Sequence, residues 1–334
     1  MAPVADLEVP ARLEATQPPE ARGVARDGVR MLVAARDGGC RDLTFADLPR
    51  VLRSGDLVVV NDSATLKAAI DAQRGDGTAL PIHFSARVAE HLWIVEPRAP
   101  VARGEEAILP DGGTIAFLVP RDAFAPRLWY TAVQNDAGVS ALLSAFGHPI
   151  RYRYVTGDHP ISAYQTIFAR VPGSAEMPSA ARPFTRAIVD ALAAVNVSLA
   201  TVTLHAGVSS LERQERPAPE SYRVPYATVQ AIEAAKGRGG RVIAVGTTVV
   251  RALETATNGS GRVIASAGWS DVVVTAARGV RVVDGLLTGF HEAQASHLDL
   301  LAALLPQVAL ERAYAHAIEA GYLWHEFGDV HLIL

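Results

Sequence analysis

Cysteine is almost missing: Cys40 stands alone in 334 residues, so no disulfide can form within the chain and the fold must rest on its core. Lysine is nearly as scarce. Only Lys67 and Lys236 occur among 31 basic residues, so arginine carries almost all the positive charge, a pattern that reads mainly as a compositional bias. No stretch reaches the roughly 18 consecutive apolar residues of a membrane-spanning helix. Even SDVVVTAARGVRVVDGLLTGF is interrupted by charges and glycines. Nor does a basic N-terminal start lead into a long apolar run, and the expectation is a cytoplasmic protein with no membrane role. The net charge of −4 gives no general attraction to nucleic acid, so a polyanionic partner would have to meet a local basic patch.

Several motifs are absent as well. There is no G-x-x-x-x-G-K-[ST] and no G-x-G-x-x-G after a strand, which argues against a nucleotide P-loop and a dinucleotide cofactor. HEAQASH sets His291 and His297 six residues apart, on opposite faces of a helix and unlike H-E-x-x-H, so no metal is expected. G-V-S-S-L around Ser209 lacks the second glycine of a nucleophile elbow, which argues against covalent serine catalysis.

What is present is the composition of a folded protein, 49% hydrophobic and 20% charged, with room for two domains. RMLVAAR (30–36) and DLVVVN (56–61) read as strands, with FADLPRVLRSGD between them as a short helix and turn. From about Leu80 to Val133 the runs become short and are split by turn residues, as in a small β-barrel or sandwich inserted into the chain. Ile108 and Leu109, then Asp111-Gly112-Gly113, then Ile115, Phe117 and Leu118 predict a hairpin. Residues 134–160 resemble a linker.

Strands and helices alternate from Ser162 onward, as a three-layer α/β domain requires. Thr185 is placed to cap a helix with Ile188 and Leu192 on its apolar face. In VSLATVTLHAG, strand geometry puts Thr201, Thr203 and His205 on one face. A polar row ending in histidine at the carboxyl end of a strand lies where open α/β sheets bind ligands; the alternative is a histidine that only satisfies the core. RVIAVGTTVVRALETA (241–256) runs from a buried strand through Gly246 into a helix that Thr247 or Thr248 can cap, with Arg251 spaced to pair with Glu254. Free N–H groups there favour an anion, although an ordinary capped connection would look the same. Later strands are expected near SDVVVTA and GVRVVDGLLTGF, helices at 296–305 and 310–320, and a last strand in DVHLIL. The histidine and acids of HEFGDVHLIL suit a partly exposed edge.

Taken in order, RMLVAARDGG, FADLPRVLRSGDLVVVND, YQTIFARVPGS, Pro178 and Ala180, PFT, TVTLHAG, AVGTTVVRALE, VVDGLLTGFH and the late FGD make the sequence similar to the S-adenosylmethionine:tRNA ribosyltransferase-isomerase family of queuosine biosynthesis. The resemblance spans more than 250 residues. It implies a three-layer α/β domain (1–72 and 151–334, the second part holding most of the site) interrupted by a small β-barrel (73–150). It also implies an unusual reaction, in which the ribosyl group of S-adenosylmethionine is transferred and rearranged onto 7-aminomethyl-7-deazaguanine in tRNA, with release of adenine and methionine. No cofactor is implied beyond S-adenosylmethionine as substrate. Such chemistry needs a base for the proton beside the sulfonium, an acid for departing adenine and groups that hold the ribose.

Carried onto this chain, the resemblance makes Gly246, Thr247, Thr248 and Arg251 the group that holds a carboxylate or phosphate. His205 becomes the first choice for proton transfer, with Asp62 beside it. Asn61 and Asp62 are placed for ribose hydroxyls or the amine, and Gln165, Thr203, Asp284, His291 and Asp329 are implied pocket residues. The chain departs from the family pattern at polar positions: Ala64 replaces an arginine, Pro183 a histidine, Gly289 an asparagine and Gln294 a lysine. These losses bear on the acceptor more than on the scaffold. Three readings follow: the family reaction on tRNA, a related enzyme with a small-molecule acceptor or acting on S-adenosylmethionine itself, and a non-catalytic protein that binds S-adenosylmethionine or RNA. Arg121, Arg127, Arg151 and Arg153, with Arg213, Arg216 and Arg223, are the arginines available for tRNA.

Overall fold

The computed structural model describes residues 9–122, 127–209, 218–290 and 297–334. Its strands are β1 (Arg30–Ala34), β2 (Cys40–Thr44), β3 (Leu57–Asn61), β4 (Ser63–Thr65), β5 (Ala69–Arg74), β6 (Ala79–Arg87), β7 (Leu92–Pro97), β8 (Glu106–Ile108), β9 (Thr114–Pro120), β10 (Trp129–Gln134), β11 (Val171–Ser174), β12 (Ser198–Leu204), β13 (Glu220–Val224), β14 (Val242–Val245), β15 (Ser266–Ser270), β16 (Gly285–Gly289) and β17 (Val330–Ile333). The helices are α1 (Leu48–Val51), α2 (Val139–Phe146), α3 (Arg186–Ala194), α4 (Tyr226–Gly237), α5 (Thr247–Thr255), α6 (His297–Leu301) and α7 (Gln307–Glu319).

Among the described residues, nine strands form one sheet in the order β15-β13-β12-β3-β14-β16-β17-β1-β2. Its centre, β12-β3-β14-β16, is parallel. The apolar run of β3 explains the three layers: Leu57 and Val59 pack with α4, α5 and α7, whereas Val58 and Val60 pack with α1 and α3. A two-residue period buried on both faces requires helices on both. Thr185 caps α3 by accepting the Ile188 N–H at 3.3 Å.

After β3 the chain leaves the sheet through β4 and enters a closed barrel, β10-β7-β6-β5-β8-β9. The hairpin read at Asp111-Gly112-Gly113 is its β8–β9 turn. Edge-to-face pairs, Phe84 with Trp93 and Phe117 with Trp129, fill the interior. The barrel strands open at Ala69, and the backbone of His148 pairs back onto that residue. The chain then returns to the sheet region through β11, which lies parallel to β4. The fold is therefore an α/β sheet with helices on both faces, interrupted by a small barrel.

Four local expectations change. The stretch 134–160 contains α2, whose Leu142 and Leu143 pack into the barrel core. SDVVVTA is not a strand beyond Ser270, because β15 ends there. Arg251 does not pair with Glu254; that carboxylate is buried and takes Arg278 at 2.9 Å and the N–H groups of Arg281 and Val282. Finally, β17 is no edge. It lies between β16 and β1 with every residue buried, and the His331 ring stacks on Phe290.

Candidate active site

Parallel strands end together, so the residues just past β3, β12, β14 and β16 share one edge of the sheet, the usual ligand edge of an open α/β fold. A cavity of about 360 Å³ opens there. The segment that leaves the barrel at 149–154 and the one that follows β11 at 175–180 close it from the other side.

Gly246, Thr247, Thr248 and Arg251 all line this cavity. Gly246, at φ 92° and ψ 151°, is itself the N-cap of α5, a conformation that a side chain would strain. Neither threonine caps the helix, which corrects the sequence expectation; Thr248 Oγ1 instead faces Asn61 Nδ2 at 3.4 Å. The first amides of α5 have no carbonyl a turn earlier and leave the helix start suited to an anion. Arg251 is already engaged. It forms a salt bridge with Glu220 and donates to the carbonyls of Ala218, Ser270 and Val272 at 3.0, 3.2 and 3.3 Å.

His205 follows β12, with Nδ1 2.7 Å from Ser63 Oγ, which in turn meets Ser174 Oγ at 2.7 Å. Burial holds its imidazole below the usual range, and Asp62 partly offsets this. Thr203 donates to Asp62 at 2.6 Å. The Thr203–Asp62 pair acts on His205 through the Asp62 charge, and His205 directly precedes the lining residues Ala206 and Gly207.

Four implied pocket residues are occupied elsewhere. Asn61 is fully buried and uses both ends of its amide: Nδ2 donates to the Leu204 carbonyl at 2.8 Å, and Oδ1 accepts from Ser63 and Leu204 N–H. It ties β3 to β12 and reaches the cavity only through Thr248. Gln165 clamps the backbone of Thr65 with two hydrogen bonds, at 2.7 and 3.0 Å. Asp329 accepts from the N–H groups of Arg30 and Leu323. Asp284 precedes β16 and therefore sits at the opposite edge of the sheet, accepting the Val242 N–H at 2.8 Å. Asp284→Ala should cost about 1 kcal/mol in denaturant unfolding and leave S-adenosylmethionine affinity unchanged; a tenfold loss in a calorimetric titration would return this residue to the site. Among the departures, Gly289 lines the cavity, Ala64 pairs with Pro172 between β4 and β11, and Pro183 is buried beside α3. His291 and Gln294 lie outside the described residues.

The sequence reading missed the carboxylates. Glu176, Glu220 and Glu326 all line the cavity. Burial pushes the Glu176 carboxyl up to about 7, against hydrogen bonds from Ser209 that pull it down. Burial also raises Glu220 despite Arg251, and Glu326 despite the Tyr154 hydroxyl. In the same lining, His297 and His325 are each held down to about 4 by burial and are neutral near pH 7. His325, at φ 72°, stacks on Tyr154 with ring centres 4.0 Å apart, and Tyr154 stacks on Tyr152 at 5.8 Å. No motif flags these residues. The one signal was local: Glu176 sits in GSAEMPSAA, an acid among small and apolar residues.

An open cavity at the carboxyl edge of a parallel sheet, with a helix start and three half-buried carboxylates in its lining, defines an α/β protein with the kind of site in which enzymes bind small molecules. The chain belongs to the family described as Queuosine biosynthesis protein, whose model matches residues 5–333. It is similar to the S-adenosylmethionine:tRNA ribosyltransferase-isomerases of Erythrobacter litoralis (32% identical, covering 98% of this chain and 96% of the relative) and Acidithiobacillus ferrooxidans (35%, 98% and 96%). Among solved structures it is similar to the S-adenosylmethionine tRNA ribosyltransferase of Thermotoga maritima, with a TM-score of 0.56, 26% identity and coverage of 99% of this chain and 100% of that one.

Proposed function

We propose that this protein is an S-adenosylmethionine-dependent ribosyltransferase-isomerase that modifies 7-aminomethyl-7-deazaguanine in tRNA and releases adenine and methionine. The observation that carries the reading is the family match over residues 5–333, joined to a cavity at the sheet edge where such a substrate would sit. S-adenosylmethionine enters as substrate, with the start of α5 at Gly246, Thr247 and Thr248 facing its carboxylate. Arg251 contributes by fixing that wall, since its own charge is balanced by Glu220. His205, hydrogen-bonded to Ser63 and biased by the Asp62 charge, holds and moves protons beside the ribose, and Thr203 fixes Asp62. Asn61 positions Thr248 and the end of β12.

The barrel and the segments that follow it are the surface for tRNA. Among the arginines there, Arg127 is tied to Glu96 and the Ser209 carbonyl and Arg151 to Asp158. Arg153 and Arg223 are exposed and are the better phosphate contacts among the described residues; Arg213 and Arg216 lie outside them. No described helix is long and apolar enough to cross a membrane, and a tRNA substrate supports a cytoplasmic location.

The test is adenine release from S-adenosylmethionine with and without tRNA carrying the aminomethyl deazaguanine. Release that depends on that tRNA, with binding that weakens steeply as salt rises, is the expected result. Release with a small amine, together with no tRNA binding at low salt, would assign the cavity to a different acceptor.

A further inference from the structure

Glu176 is the cavity group that the roles above leave unused. It follows β11, where the chain returns from the barrel, and it is enclosed on the cavity wall. Its Oε1 accepts the Ser209 N–H at 2.7 Å and the Tyr152 hydroxyl, and its Oε2 accepts the Ser209 hydroxyl. All three donors are neutral. Glu220 has Arg251, Glu254 has Arg278, Glu96 has Arg127 and Asp56 has Arg241 as cations, whereas Glu326, in the same lining, is held by the Tyr154 hydroxyl. Among the described residues Glu176 forms no salt bridge. The other charged and titratable groups of the lining are Glu220 with Arg251, Glu326 with Tyr154, Tyr152, Tyr164 and the neutral His297 and His325.

A half-buried carboxylate with no cation beside it favours a counter-charge, and the proposed substrate brings one, because S-adenosylmethionine carries a sulfonium. We infer that Glu176 is the base that removes a proton from the C5′ carbon beside that sulfonium. The inference rests on the ribosyl-transfer reading. The Glu176 carboxylate takes the proton and becomes a neutral acid; the C–H electron pair stays on carbon, as an ylide held by the adjacent positive sulfur. The site accommodates both forms, since the Ser209 hydroxyl can turn from donor to acceptor when the carboxyl gains its proton. His205 is less suited to this step because its ring is set against Ser63 and Gly173, behind the lining. A carboxyl pushed up to about 7 is also matched to proton exchange near neutral pH.

Glu176→Gln tests this, because the amide keeps an acceptor for Ser209 N–H and Tyr152 while losing the basic oxygen. Turnover of adenine release should fall on the order of 10²-fold or more, and the KM for S-adenosylmethionine should stay within a few-fold. Exchange of the C5′ hydrogens with deuterated solvent should stop. In the wild type, kcat/KM should rise with pH through about 7 as the carboxyl ionises; Glu176→Gln should lack that rise. Tyr152→Phe, which removes one donor to the carboxylate and leaves the base in place, should move the rise to higher pH. Unchanged turnover in Glu176→Gln, or a rise that persists in it or stays put in Tyr152→Phe, overturns the inference alone. If the wild type releases no adenine with any acceptor, the ribosyl-transfer reading fails and takes this inference with it.

Discussion

Arg251→Leu should destabilise the protein by about 3–5 kcal/mol, the usual cost of removing one partner from a buried ion pair. Glu220 would be left without its cation in a wall where only 13% of its side chain meets solvent, and the carbonyls of Ala218, Ser270 and Val272 would lose their donor. Urea unfolding of the single variant, of Glu220→Gln and of the pair measures the coupling directly. The double variant should recover a large part of the loss, because no uncompensated charge remains. A loss below about 1 kcal/mol in Arg251→Leu would mean that the pair behaves as an exposed surface bridge, and Arg251 would then be free for a ligand anion.

Gly173→Ala should nearly abolish turnover without touching any group that binds substrate. A Cβ at this position would lie 2.5 Å from Cε1 and Nδ1 of His205, so the ring would have to leave Ser63. Adenine release is expected to fall on the order of 10²-fold or more, the range of a lost proton-transfer group, with S-adenosylmethionine affinity kept within a few-fold. His205→Ala should give a similar loss, and combining the two should add little. Wild-type turnover in a folded His205→Ala protein would reduce the histidine to a packing role and remove the reason for glycine at 173.

Most of the sheet was legible because its strands are written in short apolar runs. Leu57–Asn61 and Val242–Val245 each fill a strand buried on both faces, and the DGG turn marks the barrel hairpin at its true place. The reading of β17 failed for a reason outside its own residues. A histidine and an aspartate beside an apolar run suit an exposed edge, yet the strand lies between β16 and β1, where Asp329 takes two backbone amides and His331 is buried against Phe290. Strand order is a property of long-range pairing, and a single strand does not record it.

The site divides in the same way. Local sequence was enough to set the Gly246 turn, the start of α5 and the strand end at His205, since each depends on backbone conformation over a few residues. It did not separate Asn61 from Asp62, adjacent residues of which one is fully consumed by the β3–β12 crossing. Nor did it place Asp284, which carries the same chemistry as Asp62 at the opposite edge of the sheet. Glu176, Glu220 and Glu326 meet in one cavity lining only because the barrel returns through β11 and the chain end folds back beside it. The sequence by itself determined the alternating strands and helices, the inserted barrel and the turns that open toward a ligand, because those follow from periodicity and backbone freedom. Only the tertiary structure decided which polar groups face the cavity and how their protons are held, because burial and charge pairing depend on residues that meet from distant parts of the chain.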